Sequence, residues 1–181
     1  MSRAYFKLQE LDWKFDLLKS KHHILELGAA PGGWVRYIED KLSGHENLYI
    51  AVDPSPVKSS GLAKIIRGKS NEPRVSQEIG RILGSKKLDL VLSDMAPKIS
   101  GVRVVDDSAS LELAEEALNI AFKYLAPGGS MVAKLFQGSE AQSFTEEAKK
   151  FFFKTVLFKP SASRSESREI FVVADGFKAG R

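Results

Sequence analysis

Short apolar runs alternate along the chain with stretches whose apolar residues recur every three to four positions. That alternation predicts strands separated by amphipathic helices. The first stretch, Ser2 to Lys19, carries Phe6, Leu8, Leu11, Phe15 and Leu18 at helical spacing, with Ser2 as a candidate cap. Strands are predicted at His22–Leu27, Leu48–Val52, Leu62–Ile66, Leu88–Ser93, Ser130–Phe136, Phe151–Phe158 and Glu169–Ala174. Helices are predicted at Gly33–Leu42 and Val75–Leu83 between them. A further helix, capped by Asp107 or Ser108, shows an apolar stripe of Leu111, Ala114, Leu118, Ala121 and Leu125 before Pro127-Gly128-Gly129 breaks it. Ser139 with Gln142 forms a capping-box signature for a helix running to about Lys150. Lys98 to Asp107 has no periodicity and reads as a mobile loop over the strand ends.

Strands that alternate with helices imply an α/β fold with a mainly parallel sheet and helices on both faces. The last two strands have no helix between them, so one of them is expected to run antiparallel. No repeat or linker stands out, and 1–181 reads as one domain, an N-terminal helix over 1–20 followed by a core over 21–176.

Composition narrows the chemistry. The absence of cysteine excludes disulfides, thiolate metal sites and cysteine nucleophiles. The three histidines, His22, His23 and His45, lie away from any acidic cluster, so no metal site is suggested. A net charge of +4 favours an anionic partner only mildly, although Lys159, Arg164, Arg168, Lys178 and Arg181 concentrate positive charge late in the chain. Without a membrane-length apolar run or a signal-like N-terminus, a cytoplasmic protein is expected.

The first strand ends in the small-residue turn Gly28-Ala29-Ala30-Pro31-Gly32-Gly33, and Trp34 follows at the start of a helix. Such a turn lets backbone approach a ligand, and the free amides of the helix start favour electron-rich groups. The spacing fits neither the dinucleotide fingerprint nor a phosphate loop. Asp53 ends the second strand about 20 residues further on, where nucleotide-binding α/β folds contact ribose hydroxyls. Ligands in such sheets bind beyond the carboxyl ends of the strands, which gathers Gly28, Asp53, Asp94 and Lys134 on one rim. Lys134 interrupts the apolar run Met131–Phe136 and would be costly to bury unless a carboxylate pairs with it. Lys7 is open to two readings, a solvated helix residue or a cation held near this rim.

Five segments, Ser2–Leu8, Leu27–Trp34, Ser93–Pro97, Lys134–Gly138 and Ser167–Glu169, closely resemble the FtsJ (RrmJ-like) RNA 2′-O-methyltransferases, in order, from Ser2 to about Val173. The resemblance implies a Rossmann-like class I fold and S-adenosylmethionine as cofactor. It further implies methyl transfer to a ribose 2′-hydroxyl of RNA by a Lys-Asp-Lys-Glu tetrad. Matched by motif, that tetrad is Lys7, Asp94, Lys134 and Glu169. Glu166 competes for the last place, but Glu169 directly follows Ser-Arg and opens the apolar strand. Cofactor contacts carry over to Gly28, Ala30, Pro31, Gly32, Gly33 and Trp34 in the turn, to Asp53 at the ribose and to Asp94 near the methionine end.

One departure concerns the turn after the third strand. Members of this family commonly have an aspartate there that contacts the adenine, and this chain has Lys69. Backbone amides, Asn71 and Glu72 are the alternatives. Arg3, Lys98, Arg103, Arg164 and Arg168 lie on segments expected to surround the rim, which suits either phosphate contacts or ordinary surface charge. The expected substrate is a uridine of large-subunit ribosomal RNA, acted on by a monomer. The alternatives are tRNA and a non-catalytic RNA-binding module.

Overall fold

The computed structural model describes residues 2–18 and 22–178. Its seven strands are β1 (His23–Leu27), β2 (Leu48–Asp53), β3 (Lys64–Arg67), β4 (Leu88–Ser93), β5 (Leu125–Phe136), β6 (Phe152–Phe158) and β7 (Glu169–Phe177). They form one sheet in the order β3-β2-β1-β4-β5-β7-β6. All neighbours are parallel except β7, which is antiparallel to both β5 and β6. Strand order reverses between β1 and β4, so their carboxyl ends open the crevice in which such sheets bind ligands.

Alternation along the strands sorts side chains onto two apolar faces. Leu25, Leu27, Val91 and Met131 join the cluster with Val75 and Ile79 of α3 (Pro73–Leu83), Ala114 and Leu118 of α4 (Arg103–Tyr124), and Phe144 of α5 (Ser139–Lys149). Ile24, Leu90, Leu92, Val132 and Phe171 face the other way. They pack against Leu8 and Leu11 of α1 (Arg3–Phe15) and Trp34, Val35 and Ile38 of α2 (Gly33–Leu42). These strand residues are buried because both faces are covered by helices, which is why the parallel strands read as continuous apolar runs.

Several element boundaries differ from the sequence expectation. Helix α1 stops at Phe15, because Asp16 adopts a left-handed conformation and the Asp12 carboxylate accepts the Leu18 amide at 2.7 Å. The expected continuation to Lys19 falls partly outside the described residues, as does Arg181. The loop expected over Lys98–Asp107 is shorter, since α4 begins at Arg103 with neither Asp107 nor Ser108 as its cap. Asp106 instead turns back to accept hydrogen bonds from the Ser100 amide and hydroxyl, both at 2.7 Å, which fixes the turn before the helix. The N-cap Val102 and the first-turn Val104 and Val105 of α4 are exposed, so no core-facing rhythm marks the start of the helix. Helix α5 is preceded by Gly138, and no side chain caps it; Ser139 already lies in the first turn, so the expected capping box does not form. Pro127-Gly128-Gly129 produces a shift of register inside β5, from Leu88–Leu125 to Leu90–Ser130, and the strand starts at Leu125.

Candidate active site

Backbone hydrogen bonds lock the strand ends that build the crevice. The Asp94 amide donates to the Leu27 carbonyl at 3.0 Å, and the Gly28 amide to the Val52 carbonyl at 3.0 Å. Gly28 has a φ of +76°, and a Cβ there would come within 2.8 Å of the Met95 backbone nitrogen. A Cβ on Gly32 would meet the Lys58 carbonyl oxygen at 2.4 Å. The backbone that approaches these two glycines is therefore the chain's own.

A cavity of about 590 Å³ opens over the ends of β1, β2 and β4. Gly28, Ala30, Asp53, Asp94 and Lys98 are among the residues that line it. Asp53 accepts the Ala30 amide at 3.0 Å on one oxygen and the Ser55 amide at 2.7 Å on the other. Each oxygen keeps a second lone pair, so the carboxylate both braces the loops and remains an acceptor toward the cavity. Pro31, Gly32 and Gly33 do not line this space. They face a separate cavity of about 550 Å³, bounded also by Ser2, Tyr5, Arg36 and Lys58. Trp34 reaches neither. It is 2% exposed and packs against the Phe171 ring at 5.7 Å, because the core-facing stripe of α2 begins at that position. Its side chain serves the core, which leaves the backbone amide at the start of α2 as the group of Trp34 available to a ligand.

Lys134 stands on β5 between β4 and β7, 6% exposed. Its ammonium donates to the Asp94 carbonyl at 2.9 Å and lies 3.0 Å from the Asp94 carboxylate and 3.6 Å from Glu169. Glu169 in turn accepts from Lys7 at 2.5 Å. Two cations and two carboxylates from α1, β5, β7 and the turn after β4 thus form one chain of ion pairs, and Lys7 is not a solvated helix residue. Burial drives the Asp94 carboxyl upward, and it stays raised although the Lys134 and Lys7 charges oppose the shift. Burial pushes Glu169 the same way, but the Lys7 hydrogen bond and the Lys134 charge outweigh it and hold this carboxyl below its ordinary value.

A second recess adjoins Lys7 and Glu169 and is lined also by Arg3, Arg164, Glu166 and Ser167. The other expected anion contacts diverge. Arg103 is exposed and lies 3.7 Å from Asp107. Arg168 is engaged internally, 2.6 Å from Asp107 and stacked 5.1 Å over the Phe136 ring, so it braces β5 against α4 rather than standing free. Two residues of α4 that the sequence does not single out also belong to the cavity. Leu113 and Glu116 line the outer part of the cavity from α4, and their three-residue spacing beside the apolar stripe was the available signal. Glu72, one candidate for contacting the adenine, instead pairs with Arg74 at 2.9 Å and accepts the Lys69 amide, outside the cavity. Among the described residues no cluster of His, Asp or Glu could hold a metal ion.

The sequence model of the FtsJ-like methyltransferases matches residues 1–177. A ribosomal RNA large subunit methyltransferase E of Legionella pneumophila (strain Corby) is 41% identical over 176 residues, covering 97% of this chain and 85% of the relative. Its counterpart from Coxiella burnetii (strain CbuK_Q154) is 42% identical over 180 residues, covering 97% and 84%. Among solved structures, one described as a ribosomal RNA methyltransferase of Plasmodium falciparum superposes with a TM-score of 0.89 at 29% identity, over 99% of each chain. With its switch-point crevice and a family match over nearly its whole length, the chain belongs to the FtsJ-like methyltransferase family.

Proposed function

We propose that this protein transfers a methyl group from S-adenosylmethionine to a ribose 2′-hydroxyl of RNA, at a uridine of large-subunit ribosomal RNA. One observation carries the reading. Lys134 lies between two cavities, bonded to Asp94 on the wall of one and to Glu169 on the wall of the other. The first cavity presents the carboxylates Asp53 and Asp94, which suits a ligand rich in hydroxyl and amine donors and bearing positive charge. The second is bordered by Arg3 and Arg164, which suits a phosphate backbone. All seven strands join one sheet and α1 supplies Lys7, so 1–181 is read as a single catalytic unit.

When bound, S-adenosylmethionine supplies a methyl group on a positively charged sulfur. Asp94 would hold that charge from the cavity wall, and it orients Lys134, with which it pairs at 3.0 Å. Lys134 meets the 2′-oxygen, either as the ammonium that stabilises the developing negative charge or, after giving up a proton to solvent, as the amine that takes the hydroxyl proton. A hydroxyl needs such help because it is a weak nucleophile while protonated, and general-base assistance typically contributes about 10²–10⁴-fold. Lys7 and Glu169 fix the ribose beside it; aligned reactants can lower a barrier by about 7–11 kcal/mol in favourable cases.

The test is methyl transfer from labelled cofactor to separated ribosomal subunits and to tRNA, with mapping of the modified position. Label on a large-subunit 2′-oxygen is expected, whereas label on tRNA alone would move the substrate assignment. Lys134→Ala should reduce transfer by at least about 10²-fold while cofactor affinity stays within a few-fold. Turnover at the wild-type rate in that variant would end the assignment of Lys134.

A further inference from the structure

The outer end of the Asp53–Asp94 cavity holds an acceptor without a donor. Glu116 projects from α4, and its Oε1 is buried with no hydrogen-bond partner. Among the described residues no cation pairs with it within 4.0 Å. Lys123, the nearby cation on the same helix, donates to Ser76 at 2.7 Å. A smaller cavity of about 260 Å³ shares Ser70, Asn71 and Glu116 with the larger one, which places the carboxylate where the loop after β3 meets α4. Leu113 and Met95 line the same region, and the Ser70 hydroxyl fixes Met95 by donating to its sulfur at 3.1 Å.

A desolvated carboxylate oxygen with no partner is unfavourable in the ligand-free protein, and a turn of the Glu116 carboxylate that presents it to a ligand N–H on the cavity wall removes the penalty. Apolar side chains beside a lone acceptor suit a flat ring that carries an exocyclic amine. The loop after β3 supplies no carboxylate for that purpose. Position 69 is a lysine, and Glu72 is occupied by Arg74 and by the Lys69 amide. We propose that Glu116 is the acceptor for the exocyclic amine of the methyl donor's adenine, so that selection of the base rests on α4. This rests on the cofactor reading above and names the residue that would make the pocket specific for an aminopurine.

The discriminating ligand pair is S-adenosylhomocysteine and its deaminated analogue S-inosylhomocysteine, in which a carbonyl oxygen replaces the amine. Their affinities are to be measured by calorimetry with the full chain. Wild type should bind the adenosyl compound at least about 10-fold more tightly, because a carbonyl facing Glu116 sets acceptor against acceptor. Glu116→Gln can turn its amide to donate to the carbonyl, and the preference should fall to within about 3-fold or invert. Glu116→Leu, which removes both donor and acceptor, gives the same readout should the glutamine variant misfold, and also should lose the preference. An unchanged preference in either folded variant would overturn the assignment of Glu116 while leaving the cofactor reading intact. Failure of wild type to bind either compound would overturn the cofactor reading, and this inference with it.

Discussion

At the scale of single residues, burial decides which polar groups can act. Glu26 on β1 is fully buried on the face covered by α1 and α2, with the Tyr49 hydroxyl donating to it. Burial raises its pKa to about 8; the Tyr49 hydrogen bond opposes the shift, and the charges of Asp94, Asp53 and Glu39 add to it. Between the ordinary value of 4.5 and about 8, the folded protein keeps a proton that the unfolded chain has released. The contribution of Glu26 to stability is therefore fully present below pH 4.5 and declines as pH rises to about 8. Glu26→Gln keeps the hydrogen bond but does not titrate, so its thermal midpoint should fall less than that of wild type between pH 5 and pH 8.5. Parallel midpoint curves for the two proteins would refute this account. Lys134 was legible as a lone cation in an apolar strand, whereas Glu116 was not, because a glutamate on a helix ordinarily meets water. Helical geometry directs the Trp34 side chain into the core, which its place beside the glycine turn does not reveal.

At the scale of elements, helix α1 matters because it carries Lys7 across to β7. Its N-terminus is capped by Ser2, which accepts the Tyr5 amide at 3.3 Å. Its C-terminus is tied by Asp12, which is 4% exposed and accepts both the Leu18 amide at 2.7 Å and the Tyr37 hydroxyl at 2.8 Å. Removing that carboxylate leaves two buried donors without a partner, so Asp12→Ala should cost about 1–3 kcal/mol in urea denaturation. A loss below about 0.5 kcal/mol would mean that water replaces the carboxylate readily. Helix docking is also why Gly33 stands where it does. A Cβ there would come within 2.7 Å of both Ala4 Cβ and Ser2 Oγ, so the absent side chain lets α1 close onto α2. On the opposite side, Glu10 of α1 accepts the amides of Ser161 at 2.7 Å and Ala162 at 2.8 Å, which fastens the basic loop between β6 and β7 beside the Lys7 recess.

For the whole molecule, the arrangement of charge matters more than its total. The recess beside Lys7 brings Arg3 from the start of the chain next to Arg164 from near its end. Arg168, close to Arg164 in sequence, is turned inward to Asp107. Replacing Arg3 and Arg164 together by alanine should weaken RNA binding and reduce the magnitude of its logarithmic salt slope by about 0.7–0.9 for each phosphate that is no longer neutralised. Arg168→Ala should change the slope little and lower the thermal midpoint. The reverse pattern, measured by titration at several salt concentrations, would place the RNA elsewhere on the surface.

The sequence alone determined the strand–helix alternation, the antiparallel strand near the end and the glycine turn, because each depends on periodicity or on local backbone preference. It also marked Asp53, Asp94, Lys134 and Glu169 as polar residues at the ends of apolar strands. Only the tertiary structure decided which charges meet. Lys7 and Glu169 are 162 residues apart and touch because α1 lies across the sheet beside β7. The structure also turned Arg168 and Trp34 inward and left Glu116 unpaired in a cavity, since burial and partnership follow from strand order and helix docking, which no short stretch of sequence encodes.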